Sequence, residues 1–213
     1  YDGTGAGMLI VNGARTTPQM QADFKLAGVS AQPLLTDAAD FTRLQGNMAV
    51  EMAVATAGRS QRDMISALDG KGQVTFTNGK IKGIDLAQLM RTVLSAATTG
   101  WQSGGSQDTD FSELGGTFTI TNGVLSNNDL KLLSPLIRVA GAGTVNILEK
   151  TLNYRVEPKL AASLEGQGGA TDVKGIEVPV IISGPWAKPR FAPDLKAIIQ
   201  NRENIGETIK SIK

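Results

Sequence analysis

The feature that most narrows the fold is an unbroken alternation of residue types near the start of the chain. Leu44, Gly46, Met48, Val50, Met52 and Val54 occupy every second position, set against Gln45, Asn47, Ala49, Glu51, Ala53 and Ala55. Successive side chains of a β-strand point to opposite faces, so this pattern builds one long strand with a single apolar face. The same period recurs at Val74 and Phe76, at Phe118 and Ile120, at Leu152, Tyr154 and Val156, and at Ile176, Val178, Val180 and Ile182. Strands apolar on one side only belong to antiparallel sheets, because parallel sheets are covered on both faces.

Turn and helix signals complete the outline. Asn-Gly pairs stand at 12–13, 78–79 and 122–123. Asn-Gly tolerates positive φ at both central turn positions and favours tight hairpins. Thr75 to Ile81 therefore reads as strand, turn and return strand. Asp85 precedes Leu86, Leu89, Met90 and Val93, with Gln88 three residues on, an N-cap and capping-box pattern opening a short helix. A second short helix is expected over 62–68. A terminal helix is expected over about 194–213, with Leu195, Ile198, Ile199, Ile205, Ile209 and Ile212 on one stripe. The Gly- and Ser-rich stretch 98–110 reads as a mobile loop, with Trp101 available to anchor it. The expected fold is thus mainly β: a twisted, curved antiparallel sheet over a few short helices, with a C-terminal helix, forming one domain over 1–213.

An internal repeat lies within this pattern. Thr75-Phe76-Thr77-Asn78-Gly79 matches Thr119-Ile120-Thr121-Asn122-Gly123 at an offset of 44 residues. The register extends through Gly72 with Gly116, Val74 with Phe118, Ile81 with Leu125 and Asp85 with Asp129, which chance does not supply. Repeats of this size suggest an elongated sheet made of similar hairpin units.

Composition removes several functions. The chain has 21 Lys and Arg against 20 Asp and Glu, so no field of one sign is present to hold a nucleic-acid backbone. It has no His and no Cys, which rules out Ser-His-Asp and Cys-His triads, disulfides and thiolate zinc sites. No cofactor or metal is implied, and no enzyme activity is expected. Asp108, Asp110 and Glu113 lack the spacing of a calcium loop and read as a solvated acidic segment. The Gly3–Gly7 run precedes a strand, not a helix, so it is no phosphate-binding loop. Asp85 and Asp129 match in the repeat, but nothing in the sequence brings them together as a catalytic pair. No apolar run reaches the roughly 20 residues of a membrane-spanning helix, and no signal peptide is visible. The chain is expected to be a piece of a longer protein.

Two segments carry a family resemblance. Gly116-Thr117-Phe118-Thr119-Ile120-Thr121-Asn122-Gly123-Val124-Leu125 leads into Leu136-Ile137-Arg138-Val139-Ala140-Gly141-Ala142-Gly143-Thr144-Val145-Asn146. Ile176-Glu177-Val178-Pro179-Val180-Ile181-Ile182-Ser183-Gly184-Pro185-Trp186 follows, then Lys188-Pro189-Arg190-Phe191 and Pro193-Asp194-Leu195. From about Gly70 to Leu195 this order resembles the C-terminal region of the AsmA family of Gram-negative envelope proteins. The resemblance implies a periplasmic body tethered to the inner membrane through a preceding segment. It also implies an apolar sheet interior related to bridge-like lipid-transfer and TamB-type proteins, with roles in outer-membrane lipid balance and outer-membrane protein assembly.

The candidate site is therefore an apolar face formed by Met48, Val50, Met52, Val54, Val74, Phe76, Phe118 and Ile120. It would meet phospholipid or another envelope lipid, with pliable Met side chains adapting to acyl chains. Alternation reports burial, not what does the burying, so the same face would equally build a closed core. An interaction module for outer-membrane assembly machinery is the alternative function, and an envelope hydrolase ranks last.

Overall fold

The computed structural model describes residues 1–83, 108–135, 137–160 and 179–194. Strands β1 (Thr4–Asn12) and β2 (Gln19–Ser30) lead into helix α1 (Ala31–Ala39), strand β3 (Leu44–Ala57), helix α2 (Gln61–Ser66) and strand β4 (Asp69–Ile81). Strands β5 (Thr109–Thr121), β6 (Val124–Leu133), β7 (Ile137–Asn146) and β8 (Thr151–Leu160) follow. Strands β9 (Val180–Pro185) and β10 (Arg190–Pro193) end the described chain. All ten join one sheet in sequence order, every neighbouring pair antiparallel. The expectation of a mainly β, antiparallel fold holds. The helix expected from Asp85, most of the 98–110 loop, the strand positions Ile176 and Val178, and the terminal helix from Leu195 lie outside the described residues. Of that loop, Thr109 and Asp110 already belong to β5.

The two strands that carry the sequence repeat lie side by side. Gly72 stands opposite Phe118 and Val74 opposite Gly116, so each copy's glycine meets the other copy's large residue. A Cβ on Gly72 would come within 2.7 Å of the Phe118 ring. The ring occupies the room that glycine leaves.

The two repeated Asn-Gly pairs do different work. Asn122 and Gly123 adopt φ of 50° and 74° and turn β5 into β6, as a tight hairpin requires. Asn78, also at φ 50°, makes no turn: β4 runs straight through it. The expected reversal at Asn78-Gly79 is replaced by a bulge. Gln45 pairs with Lys80 and Asn47 with Thr77, so β4 spends one residue more than β3 there. Long neighbours on both sides keep β4 paired, and the left-handed residue is absorbed as an extra one. Asn12-Gly13 opens a longer connection, in which the Asn12 side chain accepts from the Ala14 amide at 3.1 Å.

Bulges also bend the sheet. One lies in β2 between Leu26 and Val29, with Gly28 at φ 66°, and another in β6 between Asn127 and Leu130. Bulged strands bend and twist more strongly. The curl is large enough for Arg43, just before β3, to donate from Nε to the Ala187 carbonyl in the β9–β10 turn at 3.2 Å.

Each helix seals one end of the apolar face. Helix α1 has no clear apolar period and was not anticipated from sequence. It ends where Asp40 turns left-handed, with its amide bonded to the Thr36 carbonyl and that of Phe41 to Leu35. Its Leu34 and Leu35 pack with Ala31 against Leu44, Met48, Phe76, Phe111, Leu132, Ile137, Val139, Val156 and Val180, the central core. Helix α2, expected over 62–68, begins at the Ser60 cap, whose side chain accepts from the Asp63 amide. The Thr56 hydroxyl fixes it by donating to the Met64 carbonyl at 2.5 Å.

Candidate functional site

Directly opposed residues of paired strands share a face, so the register assigns every candidate residue. Phe24, Met52, Gly72 and Phe118 form one cross-strand row. Leu26, Val50, Val74 and Gly116 form the next, Ala22, Val54, Gly70 and Ile120 the one beyond, and Met48 opposes Phe76. Met48, Val50, Met52, Val54, Val74, Phe76, Phe118 and Ile120 therefore all project from the same side. The face continues through Leu125, Val145 and Leu152, and through Tyr154, Ile182 and Phe191.

Burial divides this face into three zones. Met48 and Phe76, 4% and 8% exposed, sit in the core under α1. Phe118 and Ile120, 8% and 4% exposed, are buried toward the α2 end. Val50, Met52, Val54 and Val74 between them are only half-buried, as are Phe24 and Leu26 on β2. The stretch thus has two closed ends and a partly open middle. Four of the eight residues are buried; the other four are half-buried, Val50 and Val74 of them packed against the edge of the central core. Sequence reasoning missed Phe24 and Leu26, although their alternation with Asp23 and Lys25 carries the same period.

One polar seam interrupts the sheet where β6 bulges. The Thr117 amide donates to the Asp129 carboxylate at 2.8 Å, and Asn127 Nδ2 donates to the Thr117 carbonyl at 2.7 Å. Two side chains thereby replace the two backbone partners that the bulge takes from Thr117. The Thr117 hydroxyl also donates to Asp129, and these bonds hold the Asp129 carboxyl below the usual carboxylate range. Burial first, and then the Asp129 charge, push the Tyr154 hydroxyl up. Asp129 thus holds the bulge together; Asp85, its counterpart in the repeat, lies outside the described residues. The acidic segment is likewise paired: Asp108 and Asp110 lie 3.7 and 3.5 Å from Lys80, and Glu113 lies 4.0 Å from Lys131. Among the described residues no group of His, Cys, Asp and Glu is arranged to hold a metal ion. No described helix is long and apolar enough to cross a membrane.

Fold and site together define a class: an antiparallel sheet with one apolar face, curled over short helices that seal its ends. The chain belongs to the AsmA family, whose match spans residues 1–130. That span takes in β1 to β3, ahead of the Gly70–Leu195 stretch that carries the resemblance, and ends within β6. Neither a curated protein nor a solved structure matches the chain.

Proposed function

We propose that this chain is a non-enzymatic lipid-handling module of the bacterial envelope, whose apolar face holds acyl chains along β2 to β5. The observation that carries the reading is the half-buried middle zone of Val50, Met52, Val54 and Val74 between two sealed ends. Acyl chains need a continuous apolar lining without directional polar contacts, and pliable Met52 suits a ligand of variable shape. Family membership supports a periplasmic setting, tethered to the inner membrane and contributing to outer-membrane biogenesis by passing phospholipid or another envelope lipid between membranes. The test is native mass spectrometry of the purified chain. It predicts co-purifying lipid that is lost in Val50→Glu/Val74→Glu while the fold remains; retention of the same lipid would refute it.

A second reading has its own observation. Strand β1 is exposed on both faces, with Met8 and Leu9 each 59% exposed and Ile10 49%. Among the described residues nothing pairs with the outer side of β1, whose nine residues carry no charge or proline. This suits a module that assists outer-membrane protein assembly by offering an edge to a partner strand. Site-specific crosslinking from Ile10 in cells would place assembly machinery there; the lack of any adduct would dismiss it.

A further inference from the structure

The side of the sheet opposite the apolar face carries its own concavity, about 860 Å³ in volume, spanning β1 to β6. Phe24, Met52, Gly72 and Phe118 of the apolar row also border it, but its polar side chains, Asp23, Lys71 and Thr119 among them, alternate with that row and project from the opposite side of the sheet. Register sets Asp23, Ala53, Lys71, Thr119 and Ser126 in one row across five adjacent strands. Neighbouring members stand about 5 Å apart. Lys25 is paired with Glu51 at 3.6 Å, and Gln73 also donates to Glu51. Among the described residues, that leaves Lys71 and Asp23 as the cavity's unpaired charges, with only the small Ala53 side chain between them.

We infer that this concavity is a second binding site, for a zwitterionic amino-phosphate. The Lys71 ammonium and the Thr119 and Ser126 hydroxyls, contiguous in the row, donate to phosphate oxygens. The Asp23 carboxylate, about 10 Å away at its base, accepts from the ligand's ammonium. The lysine stem spans much of that distance, and Ala53 leaves the floor open. Phosphate alone engages only half of the arrangement. A lipid headgroup and a soluble metabolite share this chemistry.

The inference stands apart from the acyl-binding reading, and its test keeps the two separate. The full chain is titrated with O-phosphoethanolamine and, in parallel, inorganic phosphate, following amide shifts in β4 to β6. Saturable binding is expected, tighter for phosphoethanolamine. Lys71→Ala should weaken it roughly tenfold or more, as loss of a charge-assisted contact implies, and Lys71→Arg should restore most of it. Asp23→Asn should abolish the preference over inorganic phosphate. Phosphatidylethanolamine vesicles captured through Lys71 assign the headgroup as source, and binding of the free probe alone assigns a soluble one. Acyl-chain binding on the other face should be unchanged in Lys71→Ala. No saturable shift, or equal affinity in wild type and Lys71→Ala, would overturn the inference.

Discussion

Replacing Asp129 by Ala tests how the sheet tolerates its bulge. The carboxylate accepts from the Thr117 amide and hydroxyl, both at 2.8 Å, and from Asn127 Nδ2 at 2.7 Å. Without it the Thr117 amide faces a gap in the ladder. Hydrogen bonds to charged groups contribute about 1.5–3 kcal/mol, and the exposure of Asp129 calls for the lower end. The expected loss is about 2 kcal/mol, or about 4–8 °C in midpoint for a chain of this size. Urea unfolding with an unchanged m-value is the assay. Asp129→Asn keeps one acceptor and should lose less. The effect depends on pH with a definite sign. Because the folded carboxyl titrates below its ordinary value, its contribution is complete above about pH 4 and is lost as pH falls through the lowered value. The gap between wild type and Asp129→Ala should therefore close in acid. Coincident unfolding curves at pH 7 would show that water fills the bulge equally well and refute the reasoning.

Other expectations follow from single contacts. Gly72→Val should destabilise by more than about 2 kcal/mol in chemical denaturation, since its side chain would collide with the Phe118 ring and the Glu51 carbonyl. Gly123→Val should be similarly costly because φ there is 74°, and thermal melts would register it. Arg43→Ala should leave global stability nearly unchanged but speed amide exchange in β9 and β10, whose turn Arg43 holds.

The faces of the strands were legible in the sequence because side-chain alternation is a local property. Met48 through Val54 could be assigned to one side without knowing any partner strand. Turn chemistry was only half legible. Asn78-Gly79 and Asn122-Gly123 have the same local preference for positive φ, but whether that preference becomes a hairpin or a bulge depends on whether neighbouring strands continue past it. Helix α1 was hidden because Pro33 and Asp37 interrupt its apolar residues and tertiary packing of Leu34 and Leu35 sustains it. Curvature was expected of such a sheet, but the places that shape it were not legible: the bulges at Leu26/Val29 and Asn127/Leu130 depend on how neighbouring strands pair. The division of the site into sealed ends and an open middle depends on that curvature, so no reading of strand period could separate Met48 from Met52.

The central claim is that the half-buried zone meets acyl chains. A photoreactive fatty-acid phospholipid, incubated with the full chain and mapped by peptide mass spectrometry, tests it most directly. The account predicts adducts concentrated at Val50, Met52, Val54 and Val74 on β3 and β4, with few at the sealed positions Met48 and Phe76. Adducts confined to the opposite face, or to the exposed edge strand β1, would contradict it.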